Sequence, residues 1–570
     1  MRANDMGQKP LAFRMPSEIM KPERLGAMHQ TRISFVRSLL RKVTRENWSI
    51  EASLWDMNDQ GFGTSVYTVT TPANTYQLVV FSNAIEDHQR CDRVIAEKWD
   101  VTFALVRGTL SDDELERLRQ NVPLQEAGRN STQVLVLARA NKSVRVFEHI
   151  IASLAEGKQP DGDVLANVGY ILRTTAVYGN GKFGIADFEA LENSDFESSF
   201  SAQMCAVYVL RQFSLDWVHY LSELRGGDKS VALDPLLQRY LGVGNATGLG
   251  MAPYLLRHPC VVDQWITQRE HALMSVLEQP VNTESAPQLI RFLSKAATHF
   301  SQVVTIDDDQ REKNLIASSE LPHLIERVNK LLAKGGETWH TLMSAVTHFS
   351  HEAQEALIAC LIEIYPESVD HFEQGMNTKE EVSITPGTRV SDMITLLEDR
   401  YRWALDIDFS EPESQYWFWY RSTDKEEPRL GIRGEEPGEE CELPLDVARQ
   451  VSRFYHALKT YPDGDSLAKF LLQHPGFRQI ARRCDTLGHR MMGDIQINSI
   501  GKTCKPMHLL RCKLSMFGAT KFDPRSDRWV RVTLYQGAPL WADLSEPDMD
   551  DHWLFPILPD IPKKRGDEGC

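Results

Sequence analysis

LGVGNATGLGMAP, at positions 241–253, carries four glycines, Gly242, Gly244, Gly248 and Gly250, with Asn245 and Thr247 between them. Helical patterning flanks it: PLLQRYL precedes it, and VVDQWITQREHALMSVL follows a break at Pro259. Glycine reaches positive φ and lets other groups approach the backbone closely, so this density predicts a ligand loop between two helices. No Gly-Lys-Ser/Thr follows, which excludes a Walker A phosphate loop. The glycine spacing and the helical element before it exclude a dinucleotide-binding fingerprint. Backbone N–H groups at a helix start, with Asn245 and Thr247 as side-chain donors, suit a phosphate or a carboxylate. The alternative is a tight helix–helix crossing that needs small residues.

A second glycine-rich stretch is RTTAVYGNGKFGIADF at 173–188. Its start reads as a helix ending near Tyr178, and Asn180 opens an Asn-Gly turn that presents Lys182. Lys182, Tyr178 and Arg173 are the candidate catalytic residues, with Thr174 and Thr175 in support. Asn180, Asn245, Thr247, Gly248 and Gly250 are the candidate substrate-binding residues, and the two loops are expected to line one pocket. An ordinary helix stop with a surface lysine is the competing reading.

The third feature is cationic. From Arg482 to Arg531 the chain is rich in Lys and Arg although its formal net charge is −16. LLRCKLS at 509–515 alternates as a strand does, which would set Arg511 and Lys513 on one face, facing an anionic ligand. Pairing of these cations with the excess of Asp and Glu is the alternative.

Length and charge bound the rest. A chain of 570 residues is too long for a single core and implies several domains. The net acidity argues against a generic nucleic-acid binder, which needs a basic face to displace counterions. Nine cysteines include no CxxC pair, so neither a zinc site nor a disulfide framework is expected, and a cytoplasmic location fits best. No apolar run reaches membrane-span length. His348 and His351 have helical spacing but lack the HExxH pattern, so no metal site is expected. NDQGFGTSVYTV is loosely like a kinase glycine-rich loop, yet the following YQLVVF lacks the lysine that kinase chemistry requires.

Taken in order, 31–43 reads as a helix, 65–70 and 76–81 as strands, about 92–105 as a helix, the segment from Ser111 as a helix, and 134–138 as a strand. The region 388–535 repeats that order: Leu396-Leu397 stands for Leu39-Leu40, YWFWY at 416–420 for the first strand, RLGIR at 429–433 for the second, and LLRCKLS for VLVLA. An internal duplication is therefore expected. The fold class is α+β, with two helix–strand modules flanking a mainly helical central region. The boundaries are a tail at 1–30, a module at 31–144, a helical domain at 145–380, a second module at 385–545 and a tail at 546–570. The expected function is a cytosolic enzyme acting on an anionic small molecule, a carboxylate or phosphorylated metabolite, of undetermined reaction type. A non-catalytic binding or scaffold protein is the other class. The cofactor cannot be named from the sequence, and a homo-oligomer is left open.

Overall fold

The structure, a computed structural model, describes residues 14–29, 31–85, 99–123, 133–177, 191–196, 198–248, 259–305, 307–369, 382–410, 418–420, 429–431, 447–488, 490, 492–494, 506–524, 529–544 and 553–560. The chain forms two compact units, one from 1–33, 249–293 and 320–513 and the other from 34–248, 294–319 and 514–570. The mixed α+β class holds. The boundaries differ from those expected, because the 145–380 stretch supplies both units.

The second unit is built on a nine-stranded sheet: β1 (Ser49–Met57), β2 (Gly63–Thr70), β3 (Thr75–Ser82), β4 (Val101–Arg107), β5 (Val134–Lys142), β6 (Tyr170–Thr174), β7 (Gly242–Gly248), then, out of chain order, β11 (Trp529–Leu534) and β10 (Lys521–Pro524). The β8 (Phe418–Tyr420) and β9 (Arg429–Gly431) strands pair separately in the first unit. β2 and β3 are rich in Val, Tyr, Thr and Phe, residues that pack well on a pleated surface. The helix expected over 92–105 is replaced at its C-terminal end by β4, whose VTFALV run is buried almost throughout. A short apolar run of that kind does not distinguish helix from buried strand by periodicity alone.

Strand register sorts the core into two faces. Leu78, Leu105 and Val136 line up on one face, and Val79, Ala104 and Leu137 on the other. All are buried, so both faces are covered. The helix Ser199–Gly226 covers the first face: Tyr67, aligned with Leu78, donates to Asp216 Oδ2 at 2.5 Å. Its buried residues run all round its N-terminal half, as expected of a helix that is apolar on every side. The helix Asp112–Asn121 covers the second face through Leu118, packed with Val79, Ala104 and Leu137. Its start at Ser111 is a capping box with Glu114.

β6 and β7 are the only parallel neighbours among the described strands, and the Ser199–Gly226 helix lies in the crossover between them. Arg211 on that helix is buried, and it donates to the carbonyl oxygens of Leu241 (2.8 Å), Arg239 (2.8 Å), Pro539 (3.1 Å) and Gln238 (3.2 Å). Burial pushes its guanidinium down to about 10. These four bonds fix the entry into β7.

The described part of the opening glycine stretch, Gly242–Gly248, is thus a strand where a loop was expected, and 249–253 lie outside the described residues. The same contacts explain its composition. A Cβ on Gly242 would collide with the Leu534 carbonyl oxygen of β11, and one on Gly244 would stand 2.8 Å from three carbons of the Tyr170 ring. Glycine here admits neighbouring backbone and an aromatic ring, the known use of glycine inside a strand. Gly242→Ala is expected to cost about 3 kcal/mol, because a backbone oxygen cannot move aside as a flexible side chain can. Chemical denaturation checks this, and a loss under about 0.5 kcal/mol would show that the strand has room.

Two further elements depart from expectation. Within the 145–380 stretch expected to be helical, Gly169 (φ 78) ends the helix Gly162–Val168 and turns the chain into β6. LLRCKLS lies in the helix Pro506–Phe517, so Arg511 and Lys513 stand on a helix and not a strand. Pro506 at its first position and Leu509, Leu510, Leu514 and Phe517 at helical spacing outweigh the alternation of the cations. The expected pairing of VLVLA with LLRCKLS fails for this reason, and β8 and β9 are a separate ribbon where β2 and β3 are inner strands of the sheet. The topology therefore does not carry the expected duplication. No helix among the described residues is long and apolar enough to cross a membrane.

Candidate functional site

The parallel register sets Thr174 beside Asn245, so the chain leaves β6 and β7 side by side at their C-terminal ends. That edge is where open α/β sheets carry ligands. The 173–188 stretch begins here, and the 241–253 stretch runs along β7 and continues past its end. Asn245 Nδ2 donates to the Val177 carbonyl at 3.1 Å and ties one segment to the other. Tyr178, Asn180, Lys182 and Gly250 lie outside the described residues. Thr247 and Gly248 close β7, paired with Val530 and Trp529 of β11.

On the sheet face that carries Leu137, alternation along β5 places Arg139 and Asn141, and Asn141 aligns with Arg173 of β6. Arg139 stacks its guanidinium 4.0 Å from the centre of the Trp99 ring. Arg173 is half-buried, and among the described residues it has no hydrogen bond or ion pair. A half-buried guanidinium retains five donors and a full charge while losing part of its hydration, so an anionic partner is favoured there.

The other face brings Asn245 toward the crossover helix. Arg211 marks where that helix passes the start of β7. Gln203, eight positions earlier, lies roughly 12 Å further along the helix axis. Gln203 is fully buried and, among the described residues, both atoms of its amide lack partners; Asn245 Oδ1 and Thr175 Oγ1 are likewise buried without one. An unsatisfied buried polar atom costs about 1–3 kcal/mol, so several at one edge call for an explanation. The edge therefore presents a guanidinium, a hydroxyl and an amide that both donates and accepts.

Sequence reading named Arg173, Thr175 and Asn245 as candidates on a helix end and a loop, and it did not name Gln203. Its signal was a lone amide in the apolar run AQMCAVYVL. Arg511 and Lys513 belong to neither face. They are buried in the first unit, 4% and 1% exposed, and burial alone pushes the Lys513 ammonium down to about 7.

A cleft of about 1230 Å³ in the second unit is lined among others by Asp161, Gly162, Asp163 and Ala166, before β6, by Leu237 and Tyr240, before β7, and by Pro556 and Leu558 near the end of the chain. Asp161, Asp163, Asp234 and Asp560 line it against the single ammonium of Lys158. That balance repels an anion. The parallel-strand edge, where Arg173 has no ionic partner among the described residues, is the better site for one. No protein-family model, no curated protein and no solved structure matches this chain.

Proposed function

We propose that this protein is a cytoplasmic enzyme that binds an anionic small molecule, a carboxylate or a phosphorylated metabolite, at the C-terminal edge of β6 and β7. The observation that supports it is Arg173: half-buried, without an ionic partner among the described residues, and close in the chain or sheet to Thr175 and Asn245, whose polar side chains hold unused bonding capacity among the described residues. Arg173 fixes the anion from one face of the sheet, and Asn245, on the other face, meets the molecule where it passes over the strand ends. Tyr178 and Lys182, on the segment that follows β6, supply the proton-transfer groups, and Asn180, Thr247, Gly248 and Gly250 complete the substrate-binding set.

A panel of carboxylates and phosphorylated metabolites tested by thermal shift examines this reading. Binding stabilises the folded state by about 2.7 kcal/mol at a hundredfold excess over Kd. Arg173→Ala removes no bond within the described chain, so its unliganded stability should stay within about 0.5 kcal/mol of wild type. The ligand-induced shift should vanish. A panel with no hit, or a hit that shifts Arg173→Ala as much as wild type, contradicts the proposal. Binding without turnover of any hit would favour the non-catalytic class.

A further inference from the structure

The acidic cleft of the second unit gathers the carboxylates of Asp161, Asp163, Asp234 and Asp560 around one ammonium, that of Lys158. Lys158 is already engaged, with its Nζ 3.5 Å from Glu156 Oε2. His149 in the same wall is uncharged, because its Nε2 accepts from the Asp161 backbone N–H at 2.9 Å. Asp161 and Asp234 cap helices through Oδ1, which accepts from Asp163 and Val164 in one case and from Leu236 in the other. None of the four carboxylates has an ionic partner among the described residues. Like charges collected in a concave surface focus a negative potential there.

The chain itself runs into this cleft. Phe555 is buried, with its ring 5.6 Å from that of His299 and 6.2 Å from that of Phe300. His299 Nδ1 lies 3.0 Å from the Pro556 carbonyl oxygen. Leu558 then reaches the turn between Asp161 and Asp163, where its Cδ2 would stand 3.0 Å from a Cβ on Gly162. Anchored in this way, the backbone passes to Asp560 in the cleft wall. The sequence continues as IPKKRGDEGC at 561–570, which lies outside the described residues. Lys563, Lys564 and Arg565 come first in it, and acidic residues return only at Asp567. An extended chain advances about 3.5 Å per residue, so the three cations stay within roughly 18 Å of Asp560.

We propose that Lys563, Lys564 and Arg565 dock in this cleft, so that the chain occupies its own acidic site. Charge complementarity and tethering both support the pairing. The cleft, at about 1230 Å³, exceeds the roughly 300–1,000 Å³ of small-molecule sites and has room for several side chains. A short link to Asp560 holds the cations at an effective concentration in the mM range, so weak ion pairs suffice to keep them there. The contact is separate from the parallel-strand edge and does not depend on what binds at that edge.

The test compares the full chain with a variant carrying Lys563→Glu, Lys564→Glu and Arg565→Glu together. Amide hydrogen exchange should be faster in the variant at 157–166 and 231–240, which line the cleft, and unchanged at 49–82. A labelled synthetic peptide with the sequence of 561–566 then probes the cleft directly. It should bind the variant, and bind wild type roughly tenfold more weakly, because the tethered copy competes at its effective concentration. Asp163→Asn added to the variant should weaken the peptide further, and raising the salt should shrink all these differences. Equal exchange in the two proteins, or a peptide that binds neither, overturns the proposal. So does equal binding to both, which would leave the cleft open to a basic segment of another protein. An exchange difference that grows with protein concentration overturns it as well, by assigning the cleft to the same segment of a second copy.

Discussion

Glu355→Ala is expected to destabilise the protein by about 3–5 kcal/mol, the usual cost of removing one partner from a buried ionic network. Glu355 accepts from Arg14 and Arg24 and faces Arg269, so its loss leaves Arg14 and Arg269 sharing Glu270 and Arg24 with only the half-exposed Glu18. The effect carries a pH signature. The folded-state pKa of Glu355 is lowered from 4.5 by Arg14, Arg269 and Arg24, which outweigh the opposing effect of burial. A lowered carboxyl pKa contributes stability that is present above about pH 4.5 and is lost as pH falls toward the folded-state value. Wild type should therefore weaken as pH drops below about 4.5, and Glu355→Ala should show a shallower decline across that range. Urea denaturation at neutral pH and at pH 4 measures both. A loss under about 1 kcal/mol at neutral pH would contradict the reading of this network as a buried and mutually dependent set.

Lys513→Met should act in the opposite direction. Burial lowers the Lys513 pKa from 10.5 to about 7, so the folded state releases a proton that the unfolded chain retains between those values. Stability should rise with pH across that window, because the unfolded state binds more protons there. Below about pH 7 the buried ammonium is charged and its desolvation cost is felt in full. Methionine has similar length and carries no charge, so any gain of the variant should be largest at or below neutral pH and shrink toward pH 10. Denaturation curves at pH 6, 8 and 10 decide the matter. A variant less stable than wild type at pH 6 would mean that the charge itself is held by the fold.

Elements with a strong local signature were legible before any coordinates. Ser111 with Glu114 announced a helix start and formed a capping box. SVYTVT and YQLVVF announced β2 and β3 by their β-branched and aromatic content. The misreadings share a cause: tertiary surroundings decided them. Gly242 and Gly244 looked like loop residues because glycine density usually marks turns, whereas here the approach of Leu534 and Tyr170 requires them within a strand. Arg511 and Lys513 looked like a cationic strand face because the helical spacing of their leucine neighbours was given less weight than the alternation of the charges. Arg173 and Asn245 were found through turn composition, a route that placed them on the wrong elements. They meet because β6 and β7 pair in parallel, a long-range contact that no local pattern encodes. The pairing of Arg14 with Glu270 and Glu355 is likewise invisible locally, since its members come from distant parts of the chain.

The central claim, that the ligand sits where β6 and β7 end, is tested most directly by amide hydrogen exchange with and without the best hit from the metabolite panel. Added protection should concentrate in 170–177 and 242–248, and Arg173→Ala should abolish it at the same ligand concentration. Protection concentrated instead in 157–166 and 234–240, which line the acidic cleft, would contradict the account.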